Sequence, residues 1–274
     1  MAMWQDVKDG GASAWKQPFA VTALFLYRFA WGFALFALVK SVVEPLMYRF
    51  PNESTDPGQF RLFLAESQFR LLKTDIVMPY VWLLLALLAA RMLLTPLLNA
   101  GLYYSIAHTR LNPGYRFFKG IRELARPFFL YYLLQTALIG IPGYLVLLPA
   151  LRRVWSAGSS YEGILLNALP WIGGTLAYCF LVKLLIMYLQ FGRLSERSPL
   201  AALGVFLRAF VPVLLISLTL LAAGWLASLV VLTASYLWAG FWALVLYQLF
   251  RFAETFLDVW AVTSQHSLYV RKTG

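Results

Sequence analysis

The run from 76 to 107 sets the first limit on what this chain can fold into. Its one charged residue is Arg91. As a helix it would measure about 48 Å, against a hydrocarbon core of roughly 30 Å. It should therefore either continue beyond the bilayer as helix or kink at Pro96. Similar apolar runs recur at 18–43, 127–150, 163–190, 211–233 and 235–258. Each approaches or exceeds the roughly 20 residues that cross a bilayer. With 76–98 as the second, the pattern predicts an all-α integral membrane protein of six transmembrane helices, a single polytopic domain over 1–274. Composition agrees: 61% of the 274 residues are hydrophobic and 13% charged, where a soluble domain carries about a quarter charged. The opening MAMWQDVKDGG holds two acids and no short apolar core with a cleavage signal. The first apolar run is therefore expected to be a retained span.

The net charge of +11 would suggest nucleic acid in a soluble protein. Here the basic residues sort by membrane face, so no nucleic-acid partner is expected. With six spans, one face receives Lys8, Lys16, Arg110, Arg116, Lys119, Arg122, Arg126, Arg193, Arg197, Arg208, Arg271 and Lys272. The other receives Arg49, Arg61, Arg70, Lys73, Arg152 and Arg153. Twelve against six places both termini in the cytoplasm of a multi-pass protein in the bacterial cytoplasmic (plasma) membrane.

The outer loop 44–75 contains Asp56 as N-cap, Pro57 at the first helical position and Gln59 in a capping-box position. Phe60, Phe63, Leu64 and Leu71 follow at helical spacing, which predicts a short amphipathic helix on the outer surface, or a lid without a role of its own.

Three stretches run from a polar or amphipathic segment through a proline into an apolar one: GASAWKQPFA (11–20), GIRELARPFF (120–129) and GVFLRAFVPV (204–213). Asn112-Pro113 and Ser198-Pro199 each read as an N-cap followed by proline at the first helical position. The segments 112–126 and 198–210 are expected to be interfacial helices on the cytoplasmic side, with Pro127 and Pro212 as elbows into the next span. The N-terminal copy is ragged, and Gly10-Gly11 is expected to break it. Interfacial helix, proline elbow, span, outer loop and span would form a unit that occurs three times.

The stretch LLNAGLYYSIAHTRLNPGYRFFKGIRELARPFFLYYLL (97–134) resembles the polytopic membrane domain found with bacterial glycerophosphodiester phosphodiesterases and in related uncharacterised integral membrane proteins. FGRLSERSPLAALGVFLRAFVPVLL (191–215) is similar to a second junction in those proteins. The resemblance implies an all-α membrane fold and no particular activity. The soluble catalytic domain of those enzymes has no counterpart here.

Ionisable groups within spans are candidates for function because burying them is costly. Arg28 lies about 15 Å beyond Pro18, near the midplane. Gln135 and Gln248 lie about 10–12 Å from the cytoplasmic face, with Arg91 and Arg251 shallower. Glu254 follows Arg251 by three residues, so the two can pair, and Asp258 follows Glu254 by four. These groups either line a polar pocket open to the cytoplasm or tie the bundle together by hydrogen bonds and snorkelled arginines. Interruptions at Gly140-Ile-Pro142-Gly143 and at Pro170 with Gly173-Gly174 fall at matching depth, as in transport sites and as in ordinary bundles. Gly224 and Ser228 form a small-xxx-small pair compatible with a homo-oligomer.

No HExxH, CxxC, G-x-S-x-G or phosphate-binding glycine loop is present; Cys179 is the one cysteine, and His108 and His266 are the two histidines. No metal, cofactor or catalytic residue is expected. The leading expectation is a non-enzymatic protein that organises or regulates membrane components. Arg116, Lys119, Arg122 and Arg126 would touch anionic lipid headgroups or a protein partner on the cytoplasmic face. The alternative is a carrier for a lipid or small anionic solute, with Arg28 and Arg91 as its anion-binding charges.

Overall fold

The computed structural model describes residues 2–47, 74–157, 161–237 and 240–273. Their secondary structure is helical: α1 (Ala2–Trp15), α2 (Pro18–Met47), α3 (Thr74–Ala107), α4 (Pro113–Pro142), a π-helical turn (Gly143–Leu147), α5 (Leu148–Ala157), α6 (Tyr161–Leu194), α7 (Pro199–Arg208), α8 (Phe210–Leu237) and α9 (Phe241–Thr273). Most of the outer segment 44–75, with its expected surface helix, lies outside the described residues.

Five stretches are long and apolar enough to cross a membrane: Pro18–Glu44, Met78–Ala107, Pro113–Ser156, Glu162–Leu194 and Phe210–Leu237. The chain is an all-α, multi-pass membrane protein. α9, at the place of the expected sixth span, has 33 residues. Gln248, Arg251, Glu254 and Asp258 keep it outside the apolar set. The chain divides into two compact units, Met1–Thr22 with Pro96–Gly274, and Ala23–Thr95.

Local signals set several helix ends. Asn112 caps α4 by accepting the Gly114 N–H at 3.2 Å, with Pro113 at the first position. Ser198 caps α7 by accepting the Ala201 N–H at 3.3 Å. Both satisfy donors that a helix start leaves without partners. α6 ends at a turn in which Glu196 adopts φ 55 and the Arg197 N–H reaches the Gly192 carbonyl at 2.9 Å.

The elbows differ from expectation. Pro127 lies inside α4, so 112–126 is the first part of one long helix and not a separate interfacial element. α7 is a separate helix, but the chain leaves helical geometry at Ala209 (φ −105, ψ 18), before Pro212. α3 likewise continues through Pro96, and α6 through Pro170, Gly173 and Gly174. A proline removes one backbone donor while the neighbouring turns stay intact, so a long apolar helix passes through it when another group serves the freed carbonyl. Pro142 illustrates this. Without its N–H the Leu138 carbonyl loses its helical partner, and the Tyr178 hydroxyl of α6 donates to that oxygen at 2.8 Å. The chain then relaxes through the π turn before α5.

Buried side chains in the larger unit gather where six helix ends meet two short helices: α1, the start of α2, the end of α3, the start of α4, the end of α6, α7, the start of α8 and the end of α9 contribute to this layer. Phe117, Phe128, Ile186, Tyr188, Phe191, Val213, Ile216, Leu268 and Tyr269 are almost fully buried there. Away from this layer the helices expose large apolar side chains, among them Leu165, Leu166, Trp225, Val230 and Tyr236. That division is what a membrane protein requires, because lipid covers apolar surface as well as a protein core does.

Glycines permit the closest approaches in the layer. A Cβ on Gly10 would lie 2.5 Å from the Ser264 Cα. One on Gly120 would lie 2.9 Å from the Ala100 carbonyl oxygen, and one on Gly192 2.5 Å from the Ala202 Cβ. α1 thus runs unbroken through Gly10-Gly11, where a break was expected. Its hydrogen bonds are intact, and the missing side chains let α9 pack on it.

The smaller unit is the hairpin formed by residues 23–47 of α2 and 74–95 of α3. Tyr27 Oη and Thr95 Oγ1 share a hydrogen bond of 2.9 Å, and the Arg91 guanidinium sits 5.3 Å from the Trp31 ring centroid.

Candidate functional site

Polar side chains stitch the buried layer into a closed circuit. At the α1–α2 turn, the Gln17 side chain donates to the Ser105 carbonyl at 3.0 Å and accepts from the Ser105 hydroxyl at 2.6 Å. Arg116 donates to the Gln17 side-chain oxygen at 2.9 Å, to the Thr109 carbonyl at 3.1 Å and to the Lys16 carbonyl. Aromatic rings continue the circuit: Tyr103 meets Phe128 and Phe191, each at 5.2 Å. Phe191 meets His266 at 5.3 Å, and Tyr188 meets Phe206 at 5.4 Å and Tyr269 at 5.9 Å.

Gln265 then joins three helices. It accepts from the Tyr188 hydroxyl at 2.8 Å and donates to the Val213 carbonyl and the Ser217 hydroxyl, each at 2.8 Å. α9 closes the circuit on α1. The Trp260 indole donates to the Val7 carbonyl at 2.7 Å, the Thr263 hydroxyl donates to the Gly10 carbonyl at 2.8 Å, and Arg271 pairs with Asp6. Burial pushes the Asp6 carboxyl above its usual range, opposed by Arg271. Burial also pushes His266, beyond the last apolar run, down to about 4, so its ring is neutral at neutral pH.

Arg116 was expected at the lipid surface. It is 2% exposed, and its partners are carbonyl and amide oxygens. This corrects its role: a guanidinium presents several donors in a fixed fork, which suits tying three chain segments together. Nothing local in the sequence separates it from the basic residues that do face outward. Lys119 is half-buried and Arg122 and Arg126 are exposed. The Lys119 ammonium lies 3.6 Å from a Glu123 carboxylate oxygen and about 6 Å from the Tyr104 and Tyr115 ring centroids. Around the same layer Lys8, Lys16, Arg110, Arg193, Arg197, Arg208 and Arg271 are also exposed.

The polar residues expected within spans fall in both units. Arg28 and Arg91 belong to the smaller, and both are exposed. In the larger unit, Gln135 and Glu254 are half-buried, and Gln248, Arg251 and Asp258 are exposed. The expected Arg251–Glu254 pair is present at 3.0 Å, and the Tyr247 hydroxyl accepts from the same guanidinium. Among the described residues no group of three or more His, Cys, Asp or Glu side chains is placed to hold a metal. Among the described residues Gly224 meets nothing within 4 Å of where a Cβ would lie, so it makes no close helix contact with them.

No protein-family model, curated protein or solved structure matches the chain.

Proposed function

We propose that this is a non-enzymatic protein of the bacterial cytoplasmic membrane that organises or regulates membrane components. Its basic, helix-end layer rests against anionic headgroups on the cytoplasmic side, where it is also open to a protein partner. The observation that carries this reading is the arrangement of charge. The layer buries the Asp6 carboxyl against Arg271 and turns Arg122, Arg126, Arg193, Arg197 and Arg208 outward, with the half-buried Lys119, so that exposed basic groups outnumber the exposed carboxylates Asp9, Glu123 and Glu196. A juxtamembrane basic cluster attracts anionic lipid by about 1 kcal/mol per residue near the surface.

In this reading the first part of α9, up to 258, is the sixth span, both termini are cytoplasmic, and three helix-pair units build the chain. Three similar junctions support the repeat: Gly120 approaches the end of α3, Ala202 approaches Gly192 at the end of α6, and Gly10 approaches the end of α9. The last junction joins the final helix to the first. A carrier remains the second reading, with Arg28 and Arg91 as its charges; the intramembrane exposure of both arginines is what favours it.

The test is lipid co-isolation. The protein is extracted with its surrounding bilayer in polymer nanodiscs, and the lipids are quantified against the bulk membrane. Enrichment of phosphatidylglycerol or cardiolipin is expected, with loss of that enrichment in Lys119→Gln/Arg122→Gln/Arg126→Gln. Wild-type discs with bulk composition would refute the lipid-organising role.

A further inference from the structure

The α5–α6 hairpin carries an apolar groove, at the end of the larger unit away from the basic layer. Leu151, Val154 and Trp155 of α5 and Ile164, Leu165 and Ala168 of α6 line an open groove of about 430 Å³. That volume is within the roughly 300–1,000 Å³ of ligand pockets, yet the groove presents no polar side chain. A ligand held there is apolar along its length.

The rim has a different chemistry. Trp155 is 70% exposed, and Arg152 and Arg153 are exposed beside it. Neither arginine makes an ion pair among the described residues. At about 100° per residue, Arg152 lies about 60° around α5 from Trp155, and Arg153 points to the far side from the groove. One guanidinium therefore stands at the groove's edge beside an indole of the kind that settles at headgroup level.

We infer that this groove binds one acyl chain of an anionic phospholipid, with Arg152 on its phosphate and Trp155 at the boundary between chain and headgroup. Complementarity favours this occupant over a second copy of the chain or a soluble anion. An apolar trough ending at a guanidinium that makes no ion pair among the described residues matches a molecule that is hydrocarbon along one part and anionic at the next. Arg153, on the other face, contributes only to the general positive field. This site is separate from the basic layer, so either assignment can fail without the other.

Native mass spectrometry of the full chain tests it, using protein released from detergent containing equal amounts of phosphatidylglycerol and phosphatidylcholine of the same chains. The wild type should retain the anionic lipid preferentially. Arg152→Gln, an exposed substitution, should lower that preference several-fold, because phosphatidylglycerol loses more retention than phosphatidylcholine, whose choline already neutralises its phosphate, with Arg153→Gln having the smaller effect. Ala168→Phe, which fills the groove, should lower retention of both lipids. Lys119→Gln/Arg122→Gln/Arg126→Gln should leave the Arg152-dependent part intact. Equal retention of the two lipids by the wild type, or a preference that Arg152→Gln does not lower, would overturn the assignment.

Discussion

Gly10 shows how much one hydrogen atom can decide in this protein. A methyl group there would press on the Ser264 backbone, which cannot rotate away as a side-chain tip can. Overpacking of this kind costs about 1–3 kcal/mol. Gly10→Ala should lower the thermal midpoint in detergent, although alanine is the better helix former. Gly224→Ala, where the space is open, should not.

His266 adds a pH dependence. Its folded pKa is pushed from 6.5 to about 4 by burial. The folded state therefore refuses a proton that the unfolded chain accepts, and stability falls as pH drops from about 6.5 toward 4. The full effect is about 3 kcal/mol. Asp6 acts in the opposite sense, because its raised carboxyl pKa makes the folded state take up a proton first. Thermal unfolding measured down the acid limb should show His266→Phe losing stability less steeply than the wild type.

At the scale of elements, prolines mark where helices need help from a neighbour. Tyr178→Phe would leave the Leu138 carbonyl beside Pro142 without its donor. The bond is exposed on the span surface, where lipid offers no replacement donor, so this variant should melt earlier and exchange amide hydrogens faster around the π turn. An unchanged exchange rate there would mean that another group serves the carbonyl.

The capped starts of α4 and α7 were legible in sequence because Asn112-Pro113 and Ser198-Pro199 act within their own first turn. The apolar spans were legible from length alone. The Pro127 elbow was misread because one missing donor was weighed more heavily than the helical propensity on either side. Gly10-Gly11 and Arg116 were misread for a different reason: their partners are remote. Gly10 accepts from Thr263, 253 residues away, and Arg116 reaches Gln17 across 99. No local pattern distinguishes a buried tie from a surface charge.

At the scale of the whole molecule, stability and function divide between two kinds of surface. Helix ends are joined by side-chain hydrogen bonds and aromatic contacts, while most apolar span surface is left for lipid. Breaking the Asp6–Arg271 contact should therefore loosen the ends of the chain before the spans unfold. Cysteines at Trp4 and Lys272, with Cys179→Ala as background, should crosslink less readily in Arg271→Gln than in its parent. Equal crosslinking would mean that Trp260, Thr263 and the glycine contact suffice to close the circuit.

The most direct test of the account asks whether the protein selects the lipids around it. Electron spin resonance of spin-labelled phosphatidylglycerol and phosphatidylcholine, in vesicles containing the reconstituted protein, reports how strongly each lipid is immobilised at its surface. The account predicts stronger immobilisation of phosphatidylglycerol, reduced by salt and by Lys119→Gln/Arg122→Gln/Arg126→Gln, since exposed charges are screened within about 10 Å at ordinary ionic strength. Equal immobilisation of the two lipids, unchanged by salt, would contradict it.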